Sequence, residues 1–344
     1  MNADSPRSII VLGASAGGVE ALTATMAGLP PVIDAAIFAV IHMPAQSPSM
    51  LAAILDRAGP LPVKQASDGA AIQAGRVYVA CPDNHLVLEQ GVMRVVHGPR
   101  ENRYRPSIDV LFRTAANAYG RRVIGVVLTG SLDDGTAGLI AIKRQGGLAI
   151  VQDPDEAVYP SMPRSALQHV AVDHIVRLAQ LPAVLAHLTA TMPSYALPDL
   201  APAASPPTPE MEAEMVQIND LPGKPSPYSC PECHGVLWEI QDGALTRFRC
   251  RVGHAFSPES MLAEQSDTLE VALWSALKTL EESASLSRRL EAQSTERGHQ
   301  HMARRFAEKA ATAERRALVI RQVLLTEESA VADTDEDALQ RQDV

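Results

Sequence analysis

From residue 8 to about 190 the apolar positions follow two alternating rhythms. Continuous apolar runs at 9–12, 37–41, 77–80, 123–128 and 148–151 predict strands buried on both faces. Helical periodicity marks 18–27, 49–57, 108–118, 137–145 and 179–188. Strands that alternate with helices in this way predict a doubly wound, mostly parallel sheet, an α/β domain of Rossmann-like type over 7–192. The short runs 86–88 and 92–96, joined around Glu89-Gln90-Gly91, predict an appended hairpin.

The rhythm then stops. Residues 194–227 hold eight prolines and little periodicity, which predicts a semi-extended linker over 193–227. A compact segment at 228–257 carries three of the four cysteines. Helical periodicity resumes over 258–326, with Leu262, Leu269, Leu273, Leu277 and Leu280 on one face. Ser294-Thr295-Glu296-Arg297-Gly298 suits a break into a helical hairpin. Residues 327–344 read as an acidic, disordered tail.

Composition changes this picture little. A 46% hydrophobic and 20% charged chain is globular, and 4% aromatic content makes the core aliphatic. The net charge is -10, but residues 326–344 hold seven Asp/Glu against one Arg, so the acidity sits largely in the tail. It therefore says little about a substrate. Residues 1–7 carry no apolar signal core, and no apolar run approaches the roughly 18–20 residues of a membrane span. The expected location is the cytoplasm, without membrane insertion.

Candidate chemistry begins at Gly13-Ala14-Ser15-Ala16-Gly17-Gly18, which ends the first strand. The stretch fits G-x-S-x-G, with a serine exposed on a sharp strand-to-helix turn. It also looks like a dinucleotide-binding glycine turn. That reading fails on spacing: G-x-x-x-G-x-G would need glycine where Val19 stands, and G-x-G-x-x-G is absent here. A serine nucleophile needs a histidine and usually a carboxylate. His42 follows the second strand directly, and Asp133 and Asp134 follow the 123–128 strand through a short turn. Active groups of open α/β sheets collect at these strand ends. Ser15, His42 and either aspartate therefore predict one constellation. The order Ser, His, Asp argues against an ordinary α/β-hydrolase.

Four separated segments occur in one register: Gly13-Ala14-Ser15-Ala16-Gly17-Gly18, Ile41-His42-Met43-Pro44, the run from Arg103-Tyr104-Arg105-Pro106-Ser107 to Phe112, and Leu128-Thr129-Gly130 with Asp134-Gly135. Ala157-Val158-Tyr159-Pro160-Ser161-Met162-Pro163 adds a fifth. Together they resemble the catalytic domain of CheB-type chemotaxis protein-glutamate methylesterases, over roughly 7–188. The resemblance implies Ser15 as nucleophile, His42 as general base and Asp134 as the orienting carboxylate, with Asp133 where the family often has Asn. It implies oxyanion donors at the backbone N–H groups of Ala16 and Ser131, where the family usually has Thr and Met. The implied reaction is hydrolysis of a glutamate γ-methyl ester on a methylated chemoreceptor-like protein, with related glutamine deamidation, no catalytic cofactor, and a paired methyltransferase pathway. Arg103 and Arg105, beside Arg100, are candidates to hold an acidic receptor helix. Many family members carry an N-terminal receiver domain, and the catalytic strand here begins by Ile9. Regulation is expected from the C-terminal module instead.

That module has its own chemistry. Cys230-Pro231-Glu232-Cys233, sixteen residues, then Cys250-Arg251-Val252-Gly253-His254 is a spacing that closes a tetrahedron. Cys230, Cys233, Cys250 and His254 are the expected ligands of a structural Zn2+ in a small zinc ribbon, with His234 as rival fourth ligand. The alternative is a small core of reduced cysteines around Trp238 and Phe248. Arg247, Arg249 and Arg251 give the ribbon a basic edge. The apolar face of Phe306, Ala310, Ala313, Ala317 and Ile320 nevertheless favours a partner helix or dimer over nucleic acid. The competing function is a zinc-ribbon binding or regulatory protein of a chemosensory-type pathway, with weak or lost esterase activity.

Overall fold

The computed structural model describes residues 6–46, 50–193, 195, 223–242 and 245–340, with side chains given to 325. Most of the expected linker lies outside the described residues. The chain forms two compact units, one reaching Leu262 and one starting at Ala263.

In the first unit, seven strands form one parallel sheet: β1 (Ser8–Ala14), β2 (Ala35–Ile41), β3 (Val63–Gln65), β4 (Arg76–Val79), β7 (Val123–Val127), β8 (Leu148–Gln152) and β9 (His174–Val176), in the order β3-β4-β2-β1-β7-β8-β9. β1 and β2 are buried along their whole lengths, as their uninterrupted apolar runs require. Two apolar clusters, one on each face, hold the sheet: Val11, Phe38, Leu111 and Phe112 on one side, Leu12, Leu22, Ile37 and Leu185 on the other. The helices are α1 (Gly18–Gly28), α2 (Leu51–Ala58), α3 (Ile108–Tyr119), α4 (Thr136–Arg144), α5 (Ser161–His169) and α6 (Leu181–Thr191). The appended hairpin is β5 (His85–Glu89) with β6 (Val92–Val96), antiparallel. Strands β3 and β9 and helix α5 were not predicted. Both strands have three residues and largely exposed side chains, too short to show a rhythm.

From β1 the chain builds outward through β2, and β7 later returns to the other side of β1. The strand order reverses between β1 and β7, and the loops at their carboxyl ends flank the resulting crevice. Ser15 and the 129–134 turn occupy those ends.

The cysteine segment forms an antiparallel sheet of β10 (Lys224–Ser229), β11 (Val236–Asp242), β12 (Leu245–Cys250) and β13 (Ala255–Phe256). Leu237, Phe248, Phe256 and Met261 form its small core with Cys230 and Cys250. β13 runs beside the loop after β6, with the Asn102 N–H donating to the Ala255 carbonyl at 2.8 Å.

The second unit is a hairpin of α7 (Pro258–Glu296, from Ala263 onward) and α8 (Gln300–Gln340), turned at Gly298, whose φ is 76°. Leu277 packs on Ala317 and Leu324, and Arg288 pairs with Glu314 at 2.9 Å. Ala310, Ala313 and Ala317, read from sequence as a partner-helix face, are buried. The helix continues through Gln340, where a disordered tail was expected from 327. Its Glu, Ala, Leu and Gln residues are good helix formers.

Candidate active site

Ser15 sits one residue past β1, and its N–H donates to the Thr129 carbonyl at 3.0 Å, tying the serine turn to the 129–134 turn. Gly17 adopts φ 71°, which lets the chain turn at once into α1. Gly130 has no room for a side chain: a Cβ there would lie 2.8 Å from the Ser15 Cβ and 2.1 Å from the Met162 sulfur. His42 follows β2, its N–H donating to the Ala14 carbonyl at 3.3 Å. Tyr104 stacks on the imidazole with centroids 3.5 Å apart and planes 7° apart, which fixes the ring's plane.

These placements bring three side chains into line. The Ser15 hydroxyl lies 3.0 Å from His42 Nδ1, and His42 Nε2 lies 2.8 Å from Asp134 Oδ2. An Nε2–H tautomer donates to the carboxylate and leaves Nδ1 open to accept from the serine. Of the two candidate aspartates it is Asp134 that meets the histidine. Asp133 points elsewhere, its Oδ1 accepting from the Ser257 hydroxyl at 2.7 Å.

Asp134 is almost completely buried, yet it keeps its charge. Burial pushes its pKa up, but the hydrogen bonds from His42, the Asn102 amide and the Ile108 N–H hold it below the usual carboxylate range. The Ile108 N–H donates at 2.7 Å, the Asp109 N–H at 3.1 Å and the Ser107 hydroxyl at 3.0 Å, so the carboxylate sits on the N-terminus of α3. Asp109 does the reciprocal service for α4, accepting from the Gly135 and Gly138 N–H groups at 3.0 and 2.6 Å. Burial and the neighbouring Asp134 charge push Asp109 upward.

A cleft of about 500 Å³ opens above Ser15 and His42, with Ala16, Arg100, Arg103 and Tyr104 on its wall. Among the described residues, neither the Ala16 nor the Ser131 N–H has a hydrogen-bond partner. Arg103 and Arg105 both line this cleft. Arg105 is held by Asp83 at 2.7 and 3.0 Å and by the Gly98 carbonyl at 2.6 Å, and so braces its own loop. Arg103 adopts a φ of 76°.

Sequence reasoning missed Asn102, whose amide donates to Asp134 Oδ1 at 2.9 Å and to Asp109 Oδ2 at 2.8 Å. Nothing in the local pattern marks an asparagine in a loop, 32 residues from its partner, as a ligand of a carboxylate. Ser107 carried a faint signal as the residue before a helix, but its hydroxyl bonds Asp134 and not its own helix.

The Cys3His group is assembled. Ligand atoms of Cys230, Cys233, Cys250 and His254 all lie within 4.8 Å of one another. A tetrahedral zinc, with bonds of about 2.3 Å to sulfur and 2.0 Å to nitrogen, needs edges of about 3.8 Å between sulfurs and 3.5 Å from sulfur to nitrogen. Cys233 Sγ to Cys250 Sγ is 3.6 Å, and His254 Nδ1 stands 3.5 Å from Cys250 Sγ and 3.7 Å from Cys230 Sγ. The donor set fits. Glu232 faces the other ring nitrogen of His254 at 3.5 Å, an outer carboxylate that aims Nδ1 at the sulfurs. The rival His234 is exposed, and its N–H closes the turn onto the Cys230 carbonyl at 2.8 Å.

Of the basic edge, Arg247 turns inward to the buried Glu101 at 3.1 Å, beside Arg113 at 2.9 Å. Burial would raise the Glu101 pKa, but the guanidinium groups of Arg113 and Arg247 hold it well below the carboxylate range.

Fold and cleft together define a class: a doubly wound α/β domain in which a serine, a histidine and an aspartate converge at the carboxyl edge of the sheet. The chain belongs to the CheB methylesterase family, whose model matches residues 10–185. A Leptospira interrogans relative is 42% identical over 173 residues, which is 50% of this chain and 90% of the relative. Two proteins named protein-glutamate methylesterase/protein-glutamine glutaminase are also similar. The one from Anaeromyxobacter dehalogenans is 40% identical over 181 residues, 53% of each chain, and the one from Yersinia pestis is 38% identical over 181 residues, 52% of each. The chain thus spans about half the length of these two. The crystal structure of the Thermotoga maritima CheB methylesterase catalytic domain is 34% identical with a TM-score of 0.51, covering 53% of this chain and 98% of that one.

Proposed function

We propose that this chain is a protein-glutamate methylesterase, hydrolysing glutamate γ-methyl esters on chemoreceptor-like proteins in a chemotaxis-type pathway, with deamidation of glutamine as a related activity. The observation that carries this reading is the line of hydrogen bonds from Ser15 through His42 to the buried, ionised Asp134. Ser15 Oγ attacks the ester carbonyl carbon while His42 Nδ1 takes its proton, and Asp134 stabilises the imidazolium. The N–H groups of Ala16 and Ser131 receive the oxyanion. The bond to the methoxy oxygen then breaks, and His42 returns the proton so that methanol leaves. Water adds to the acyl-enzyme, giving a proton to His42. That proton passes to Ser15 Oγ as its bond to the acyl carbon breaks, and the free glutamate ionises. Every step draws on side chains, backbone N–H groups and water.

The receptor is expected to present acidic residues to the wall that carries Arg100, Arg103 and Arg105. The fit of Cys230, Cys233, Cys250 and His254 supports a structural Zn2+, with all four positions taken by protein and none left for chemistry. Among the described residues no helix is long and apolar enough to cross a membrane. Exposed Leu269, Val271 and Trp274 on α7 support the expected association through the helices.

Methanol release from a methylated receptor, measured for the intact chain and for Ser15→Ala, tests the function. The variant should fold normally by circular dichroism and release no methanol. Release at the parent rate would overturn the reading.

A further inference from the structure

The C-terminal module reaches the proposed catalytic carboxylate through one side chain. Asn102 is buried, at 2% exposure, and its φ of 50° turns the chain back toward the sheet. Its amide nitrogen faces two carboxylates, Asp134 at 2.9 Å and Asp109 at 2.8 Å. Its amide oxygen accepts from the Ser257 N–H at 3.2 Å and lies 3.4 Å from the Ser260 hydroxyl. An asparagine amide has two nearly isosteric orientations, and the wrong one would set its oxygen against both carboxylates. The donors on its oxygen side come from the cysteine module and the start of α7.

The same contact repeats along the backbone. The Asn102 N–H donates to Ala255 at 2.8 Å, and the Ala255 N–H donates to Arg100 at 3.3 Å. Ala255 directly follows His254 in sequence. Two residues beyond Asn102 is Tyr104, which stacks on His42.

We propose that Asn102 is a positioning residue for Asp134, and that the Cys3His module holds it in its working orientation through Ala255 and Ser257. The proposal rests on the Ser15–His42–Asp134 reading above. On this view the module is a working part of the esterase site: when its tip loosens, Asp134 loses a hydrogen bond, and His42 loses both its fixed carboxylate and its stacking partner.

The test uses the full chain and two readouts that need no receptor. One is the low-field proton resonance of the His42 Nε2–H bonded to Asp134. The other is the rate at which a fluorophosphonate labels Ser15. Asn102→Gly keeps the backbone conformation accessible while deleting the amide. Cys233→Ser weakens the metal site, whose zinc content is read by elemental analysis, and far-UV circular dichroism follows the catalytic sheet. Each variant should broaden or shift the imidazole proton and slow labelling about tenfold, on the scale of one hydrogen bond to a charged group. Because both act through one link, the double variant should be no slower than the worse single one. With methylated receptor, Asn102→Gly should lower kcat while leaving KM within about twofold, since Asn102 acts on the carboxylate and not on the substrate. Unchanged resonance and labelling in either single variant, or multiplied effects in the double variant, would overturn the proposal. If the methylesterase reading itself fails, methanol release is absent while the imidazole proton still reports on Asn102.

Discussion

Asp133 should make the fold lose stability as pH rises toward neutral, and Asp133→Asn should remove that loss. Burial, followed by the nearby charges of Asp109, Glu259 and Asp134, pushes its pKa to about 7, against a lowering hydrogen bond from Ser257. In the unfolded chain an aspartate titrates near ~3.9. Between these values the folded protein holds a proton that the unfolded chain has released, so the unfolded state gains as pH rises. The contribution of this group to stability is therefore fully present below about pH 4, falls through the window and is lost above about 7. Over the whole window it amounts to about 4 kcal/mol as an upper bound. An asparagine oxygen can still accept from the Ser257 hydroxyl, now 2.7 Å from the carboxylate. Asp134 and Glu101 act with the opposite sign: their lowered pKa values stabilise the fold above the unfolded range, and that stability is lost in acid. They are present in both proteins, so the difference reports Asp133 together with its coupling to Asp109, Glu259 and Asp134. Urea unfolding at pH 4.5, 6 and 8 measures it. Asp133→Asn should become progressively more stable than the parent as pH rises, with the parent's slope flattened. Parallel stability profiles for the two proteins would refute the reasoning.

Gly130→Ala should destabilise the domain by about 1–3 kcal/mol in thermal unfolding, the cost of overpacking, because its Cβ would meet Met162 and Ser15. The same variant should lose most methanol release, since the displaced partner is the proposed nucleophile. Asp134→Asn should lower kcat by about 10⁴-fold at neutral pH, as expected when the group fixing the histidine tautomer loses its charge. Arg103→Ala should raise KM for a methylated receptor several-fold, because Arg103 lines the cleft beside Ser15; Arg105→Ala should lower stability as well, because its guanidinium is bound to Asp83 and Gly98. Removing metal with a chelator should expose 228–256 to limited proteolysis and lower the unfolding temperature. About one zinc per chain should be found before chelation.

Much of this was legible in the chain itself. The buried strands announced themselves through uninterrupted apolar runs, because a strand covered on both faces has no polar side to show. The helices did so through periodicity, and the candidate metal ligands through C-x-x-C and C-x-x-x-H spacing, since turn geometry fixes those separations locally. Ser15 and His42 could be placed because each follows a strand directly. Strand ends were therefore as informative as strands.

What the chain could not show was anything resting on one side chain meeting another from a distant segment. Asp133 and Asp134 are chemically identical neighbours, and only the turn before α4 decides which one faces His42 and which faces Ser257. Arg103 and Arg105 both line the cleft, and only the fold shows that the Arg105 guanidinium is also held by Asp83. Arg247 read as a basic edge and became the partner of Glu101, 146 residues earlier. Asn102 had no pattern at all until the β13 strand lay beside it. Sequence alone determined the layers of the catalytic domain, the donor set of the Cys3His module and the residue types of the cleft, because periodicity and spacing are properties of neighbouring residues. Only the tertiary structure decided orientation: which aspartate meets the histidine, which carboxylate braces Arg105, and that the cysteine module leans on the carboxylate's support. Hydrogen-bond direction and burial arise when distant segments close on one another.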